Sequence, residues 1–133
     1  MQVVDLDGNS YNWQLLGGIS KGSKNNKSSL HLKARELIHR IFPTLPILEE
    51  VSVNIRRGET LYLDFYIPLT KKCIEVHGEQ HYTFSRFYHS TILGFMKQKK
   101  RDREKQEWCE MNGIDYIELP FNQQENWELI ITS

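Results

Sequence analysis

The absences bound this sequence first. It has no run of about 18 apolar residues, so no membrane-spanning helix is expected. No basic-then-apolar stretch opens the chain, and secretion is not expected either. Cysteine is scarce: Cys73 and Cys109 stand far apart without a CxxC spacing. They read as reduced core thiols of a cytoplasmic protein, not as a disulfide framework. No Cys/His pair has zinc-ligand spacing. There is no charge excess, since 17 Lys and Arg balance 17 Asp and Glu. Global basicity therefore announces no polyanion partner, and only local patches can argue for one. What is present, 39% hydrophobic and 26% charged residues over 133 positions, predicts a single soluble globular domain with one core.

Periodicity and turn chemistry divide the chain. Apolar runs at 3–6 and 10–13 flank Asp7-Gly8-Asn9, which predicts a small N-terminal hairpin. Asp5, Asp7 and Asn9 resemble the start of a calcium loop, but Ser10 and Leu16 stand where such a loop needs Gly and Glu. Residues 17–29 read as a linker whose three lysines suit either a phosphate-contacting arm or a solvated loop. Ser28 or Ser29 can cap a helix over 30–42 that ends at Pro43, with Leu30, Ala34, Leu37, Ile38 and Ile41 as its buried stripe. Strands are predicted at 47–55, 60–67 and 73–77, forming an antiparallel meander. Residues 83–91 are irregular, aromatic and polar. A long helix over 92–112 stops at Asn112-Gly113, a strand at 114–119 joins the sheet in parallel, and a short helix follows within 123–131. The sum is an α/β fold: a mixed central β-sheet flanked by α-helices, with residues 1–29 as hairpin and basic linker and 30–133 as the core.

The chemistry concentrates in 61–82. Asp64 sits in one strand, Glu75 and His77 in the next, and His81 follows Gly78. Strands alternate faces, so Glu75 and His77 point the same way. If Asp64 shares that face, the patch suits a hard cation such as Mg²⁺. Phe95, Asp102 and Cys109 are spaced by seven on the long helix, which turns Asp102 inward. Between Lys97 and Lys105 that helix carries six basic residues and two acids. Lys97, Lys99, Lys100, Arg101, Arg103 and Lys105 are candidates for contacts to a DNA backbone.

The pattern Asp64, then Glu75-Val76-His77, resembles the PD-(D/E)xK nuclease superfamily, with His77 at the lysine position and Leu63 before the Asp instead of Pro. The run Glu75-Val76-His77-Gly78-Glu79-Gln80-His81 resembles the very-short-patch repair endonucleases. It is closer still to the EDxHD homing endonucleases of phages, whose letters are met by Glu36, Asp64, His77 and Asp102. The similarity covers roughly 30–120. It implies a restriction-endonuclease-like core and a Mg²⁺ (or Mn²⁺) site built by Asp64, Glu75 and the Val76 backbone carbonyl. Glu36 would hold a metal water from the first helix. His77 would be a base or phosphate contact and His81 an acid, with Asp102 orienting one of them or joining the metal shell. His31 or His39 could replace Glu36 as the contribution of that helix.

The resemblance thus implies a metal-dependent DNA endonuclease, a free-standing homing-type enzyme of a phage acting on double-stranded DNA in a bacterial host's cytoplasm as monomer or homodimer. The alternatives are a mismatch- or structure-specific nickase, argued from the aromatic loop, and a non-catalytic nucleic-acid-binding module on a nuclease fold.

Overall fold

A computed structural model of the chain describes residues 1–15, the backbone of 18–19, and 28–133. Lys21, Lys24 and Lys27 of the expected basic arm lie outside the described residues. The N-terminal hairpin pairs β1 (Gln2–Val4) with β2 (Ser10–Asn12). Its tip closes because the Asp5 carboxylate accepts from the backbone N–H of Asp7 and of Asn9, and Gly8 takes φ +86. Asp5 is thereby buried as a turn cap. A separate sheet has the order β3 (Gly18–Ile19), β4 (Leu48–Arg56), β5 (Glu59–Ile67), β6 (Lys72–His77) and β7 (Asp115–Pro120). Four long strands thus gain a two-residue strand at one edge. The expected meander β4-β5-β6 is antiparallel, and β7 lies parallel to β6 as expected after a helical crossover.

Two cores sandwich the sheet. On one face lie α1 (Ser29–Ile41) and, after a short 3-10 turn, α4 (Trp127–Thr132); Ala34, Ile38, Phe65, Ile74 and Trp127 form that core. On the other lie the hairpin and α3 (Ile92–Met111), packed through Trp13, Val53, Leu63, Cys73 and Trp108. Helix ends follow their sequence signals. The Ser28 hydroxyl caps α1 by accepting from the His31 N–H, and Thr91 caps α3 by accepting from the Gly94 N–H. Gly113, at φ +68, lets the chain leave α3 in a left-handed turn. The segment expected to be irregular contains one four-residue helix, α2 (Arg86–His89), started by Ser85.

Simple alternation fails at one rung, and that rung positions the site. Leu61 and Leu63 join the core beneath α3, whereas Phe65 and Ile67 join the core beneath α1, although all four share the same parity. On β4, Glu49 turns toward α1, and Val51 turns toward α3. The exchange falls at Glu50, which has φ +55, opposite Asp64 in the register. Both strands swap faces there, and the β5–β6 ladder ends beside it at Phe65–Ile74.

Candidate functional site

Where the β5–β6 ladder stops, two carboxylates replace it. The Asp64 N–H donates to Glu75 Oε2 at 2.6 Å, and the Val76 N–H donates to Asp64 Oδ2 at 2.9 Å. This reciprocal clasp holds both acids at the gap between the strands. A strand residue's N–H and C=O point to the same side, and the Val76 N–H points at Asp64. Its carbonyl is therefore aimed into the same gap, while the His77 carbonyl accepts from Phe121 on the far side. The gap opens into a pocket of ≈ 460 Å³ whose wall includes Asp64, Glu75, Val76, His31, His81 and Lys105.

The electrostatics follow from crowding. Burial first, and then the charge of Glu75, push the Asp64 carboxyl up to about 7, against the Val76 N–H and Lys105, which favour its ionised form. Asp64 keeps a partly open side onto the pocket, so solvent tempers the penalty. Glu75 is only 2% exposed. Its second oxygen, Oε1, accepts from Lys105 Nζ at 2.8 Å. Burial works against the Lys105 ammonium, but Glu75 and Asp64 outweigh it and raise its pKa. Two carboxylates and a carbonyl form an all-oxygen donor set of the kind Mg²⁺ takes. The like-charge crowding that hinders Asp64 ionisation is what a divalent cation would relieve, so these residues fit the group.

The helix α3 runs past β6 as a second ladder. Cys73, Glu75 and His77 project from one side of β6, toward Cys109, Lys105 and Asp102 on one side of the helix. The predicted inward turn of Asp102 is present. It meets His81, with Nδ1 2.8 Å from Oδ2, and both side chains are 16% exposed. The 3-10 turn Glu79–His81 after Gly78 carries His81 back over β6. There it stacks on His77, with ring centroids 4.1 Å apart and planes at 6°.

His77 itself does not line the pocket. It is 2% exposed, behind His81, with Nδ1 3.5 Å from Glu118 Oε1 and Nε2 3.4 Å from the Tyr116 hydroxyl. Burial would lower its pKa, but Glu118 and then Asp102 raise it overall. In return His77 leads in holding Glu118 down to about 2, and the Tyr82 hydroxyl also donates to Glu118. Ligand atoms of His77, His81 and Asp102 lie within 4.8 Å of one another. Parallel stacked rings keep their nitrogen lone pairs parallel, whereas a tetrahedral zinc site needs them to converge. The cluster therefore does not have the geometry of a zinc site.

The remaining expected residues divide. Glu36 is not brought to the site. Arg35 is buried toward β4, so its neighbour Glu36 turns outward into a separate groove with Lys33, Arg40 and Gln124. The contribution of α1 is His31, the alternative considered from sequence. His31 stacks on Phe65 and bonds Glu49 at 2.6 Å, and Arg35 clasps the same carboxylate at 2.8 and 2.9 Å. Lys97, Lys99, Lys100, Arg101 and Arg103 are all exposed on α3. Lys105 does not belong with them, because its ammonium is turned inward onto Glu75. Sequence reasoning missed Tyr116, Glu118, Tyr82 and Glu49. The first two had a signal, since a parallel last strand in register with Cys73 and Glu75 puts them on the sheet face beneath α3.

No protein-family model matches the chain, and no solved structure matches it. It is similar to uncharacterized protein 033L of Invertebrate iridescent virus 3, 36% identical over 103 residues that cover 75% of this chain and 53% of the relative. It is also similar to uncharacterized protein 094L of Frog virus 3 (isolate Goorha), 39% identical over 70 residues, 52% of this chain and 45% of the relative. Uncharacterized protein 307L of Invertebrate iridescent virus 6 is 36% identical over 61 residues, 46% of this chain and 31% of the relative. The chain thus spans about half the length, or less, of the curated relatives it matches.

Proposed function

We propose that the chain is a Mg²⁺-dependent DNA endonuclease on a restriction-endonuclease-like core. The observation that carries this reading is the Asp64–Glu75 clasp at an open strand gap, with His81, bonded to Asp102 behind it, on the same pocket wall. Asp64, Glu75 and the Val76 carbonyl would hold the cation. When bound, it offsets phosphate charge and lowers the pKa of a nearby water. Asp102 fixes His81 through Nδ1, and Nε2, 3.4 Å from the Gln98 amide nitrogen, would exchange that contact to take or give a proton at a phosphodiester oxygen. His77, stacked behind His81 and tied to Glu118, holds that ring in place. The exposed cations of α3 would track the DNA backbone, which makes binding salt-dependent. The homing-type reading rests on the motif resemblance, and the relatives are proteins of viruses named for animal hosts.

One observation favours a second reading, a structure-specific nickase. Phe87 is 87% exposed and Tyr88 57% exposed beside the pocket, a poor arrangement for side chains meant only to cover a core. Aromatic rings so placed can stack on unpaired bases.

Supercoiled plasmid incubated with Mg²⁺ and wild-type, Asp64→Ala or His81→Ala protein tests both. Cleavage by the wild type alone is expected. Equal cleavage by all three proteins, or by none, sinks the enzyme reading and leaves a non-catalytic nucleic-acid-binding module. Linear product favours a double-strand endonuclease. Nicked product enhanced by a mismatch favours the second reading.

A further inference from the structure

We infer that the Lys105 ammonium is an exchangeable counter-ion, which leaves Glu75 when a divalent cation arrives and then pairs with the substrate phosphate. This rests on the endonuclease reading and adds a residue that the motif does not contain. Both Glu75 oxygens are occupied. Oε2 accepts from the backbone N–H of Asp64, which the strand holds in place. Oε1 accepts from Lys105, whose ammonium ends a flexible four-carbon stem. Asp64 Oδ2 is likewise committed to the Val76 N–H, whereas no described residue donates to Oδ1. A cation that enters beside Asp64 Oδ1 therefore reaches Glu75 through Oε1, the one oxygen whose partner can leave. Two cations that share that oxygen repel each other at close range, and strongly so where burial keeps water from screening them. The displaced ammonium stays tethered to α3 at the pocket wall, where an incoming phosphate offers it a new partner. The position that the superfamily motif fills with lysine is His77 here, and His77 lies behind His81. Among the described residues, the lysine that bonds a clasp acid is Lys105, which reaches the pocket from the helix.

The inference has a sign that a structural role lacks. Titration calorimetry of the intact chain with MgCl₂, and separately MnCl₂, without DNA, would compare wild type, Lys105→Met, Lys105→Arg and Asp64→Asn. Lys105→Met should bind the cation about tenfold tighter or more, because its competitor is gone, while plasmid cleavage falls by about a hundredfold or more. Lys105→Arg keeps the charge and so the fold, but its fork grips Glu75 more firmly. It should bind the cation more weakly than wild type, giving the affinity order Met, Lys, Arg. If wild type binds the cation through Asp64 and neither variant follows this order, the counter-ion inference is overturned and the endonuclease reading stands. If wild type does not bind, or Asp64→Asn binds equally well, both are overturned.

Discussion

Two histidines a few residues apart have separable duties, and the difference is measurable. His81 reaches the pocket and His77 does not. His81→Ala should cut cleavage by about 10²–10⁴ with little change in melting temperature. His77→Ala should lower stability by about 1–3 kcal/mol in urea unfolding, since it empties a buried, hydrogen-bonded position. Equal stability losses for the two variants would contradict the assignment. Glu118 supplies a pH signature. Its folded-state pKa is held at about 2, below the ordinary 4.5, first by His77. A depressed carboxylate contributes stability that is present above its unfolded pKa and lost as pH falls from about 4.5 through 2. Its side chain is 39% exposed, so after screening the contribution is about 1 kcal/mol. Glu118→Gln should flatten the stability profile between pH 5 and 2 relative to wild type, and an unchanged acid limb would refute the pairing. At this scale the nearness of Asp64 to Glu75 and the inward turn of Asp102 were legible, because residue type and strand or heptad spacing specify them. It misled about where the Glu36 and Lys105 side chains lie. A helical wheel fixes the direction of the backbone stripe only to within a residue, and a lysine's destination depends on which buried carboxylate lies within reach of its stem.

At the scale of elements, the meander, the parallel last strand and the long helix were legible, because Gly-Asn turns, capping serines and apolar periods are local signals. The face exchange at Glu50 and Asp64 was not. It needs one residue at φ +55 and a matching change on the neighbouring strand, and neither leaves a local trace in composition. The β5–β6 turn contains another left-handed residue, Lys71 at φ +52, whose carbonyl accepts from the Asp115 N–H at 2.9 Å. Glycine adopts that conformation without a Cβ penalty. Lys71→Gly should raise the unfolding free energy by about 0.5–1 kcal/mol, read as a higher denaturant midpoint at constant slope. A lower midpoint would show that the lysine side chain contributes more than its backbone strain costs.

Across the molecule, the N-terminal hairpin is structural and closes the core beneath α3. Trp13 lies 5.0 Å from Trp108 and 4.9 Å from Tyr66, ring to ring, and donates from Nε1 to the Ser52 carbonyl. The Asn112 side chain, just past α3, accepts from the Val4 N–H and donates to its carbonyl, as an extra strand would. Deleting residues 1–13 should therefore cost about 3–6 kcal/mol, from losing the buried side chains of Val3 and Trp13, and should make the protein bind a hydrophobic dye. Since α3 also carries Lys105 and Asp102, the deletion should weaken cleavage without removing any residue of the pocket. A truncated chain with full stability would show that the hairpin only decorates the core.

The carboxylate clasp has a spectroscopic consequence. Along the regular β5–β6 ladder, amide protons are held by carbonyls whose acceptor strength does not change. The amides of Asp64 and Val76 are held by side chains whose charge is shared with whatever else enters the gap. Their proton exchange rates and ¹⁵N shifts should move on titration with a divalent cation, while those of Tyr66, one rung into the regular ladder, stay fixed. Two amide signals would then report occupancy of the pocket directly, in a protein at rest and with no substrate present.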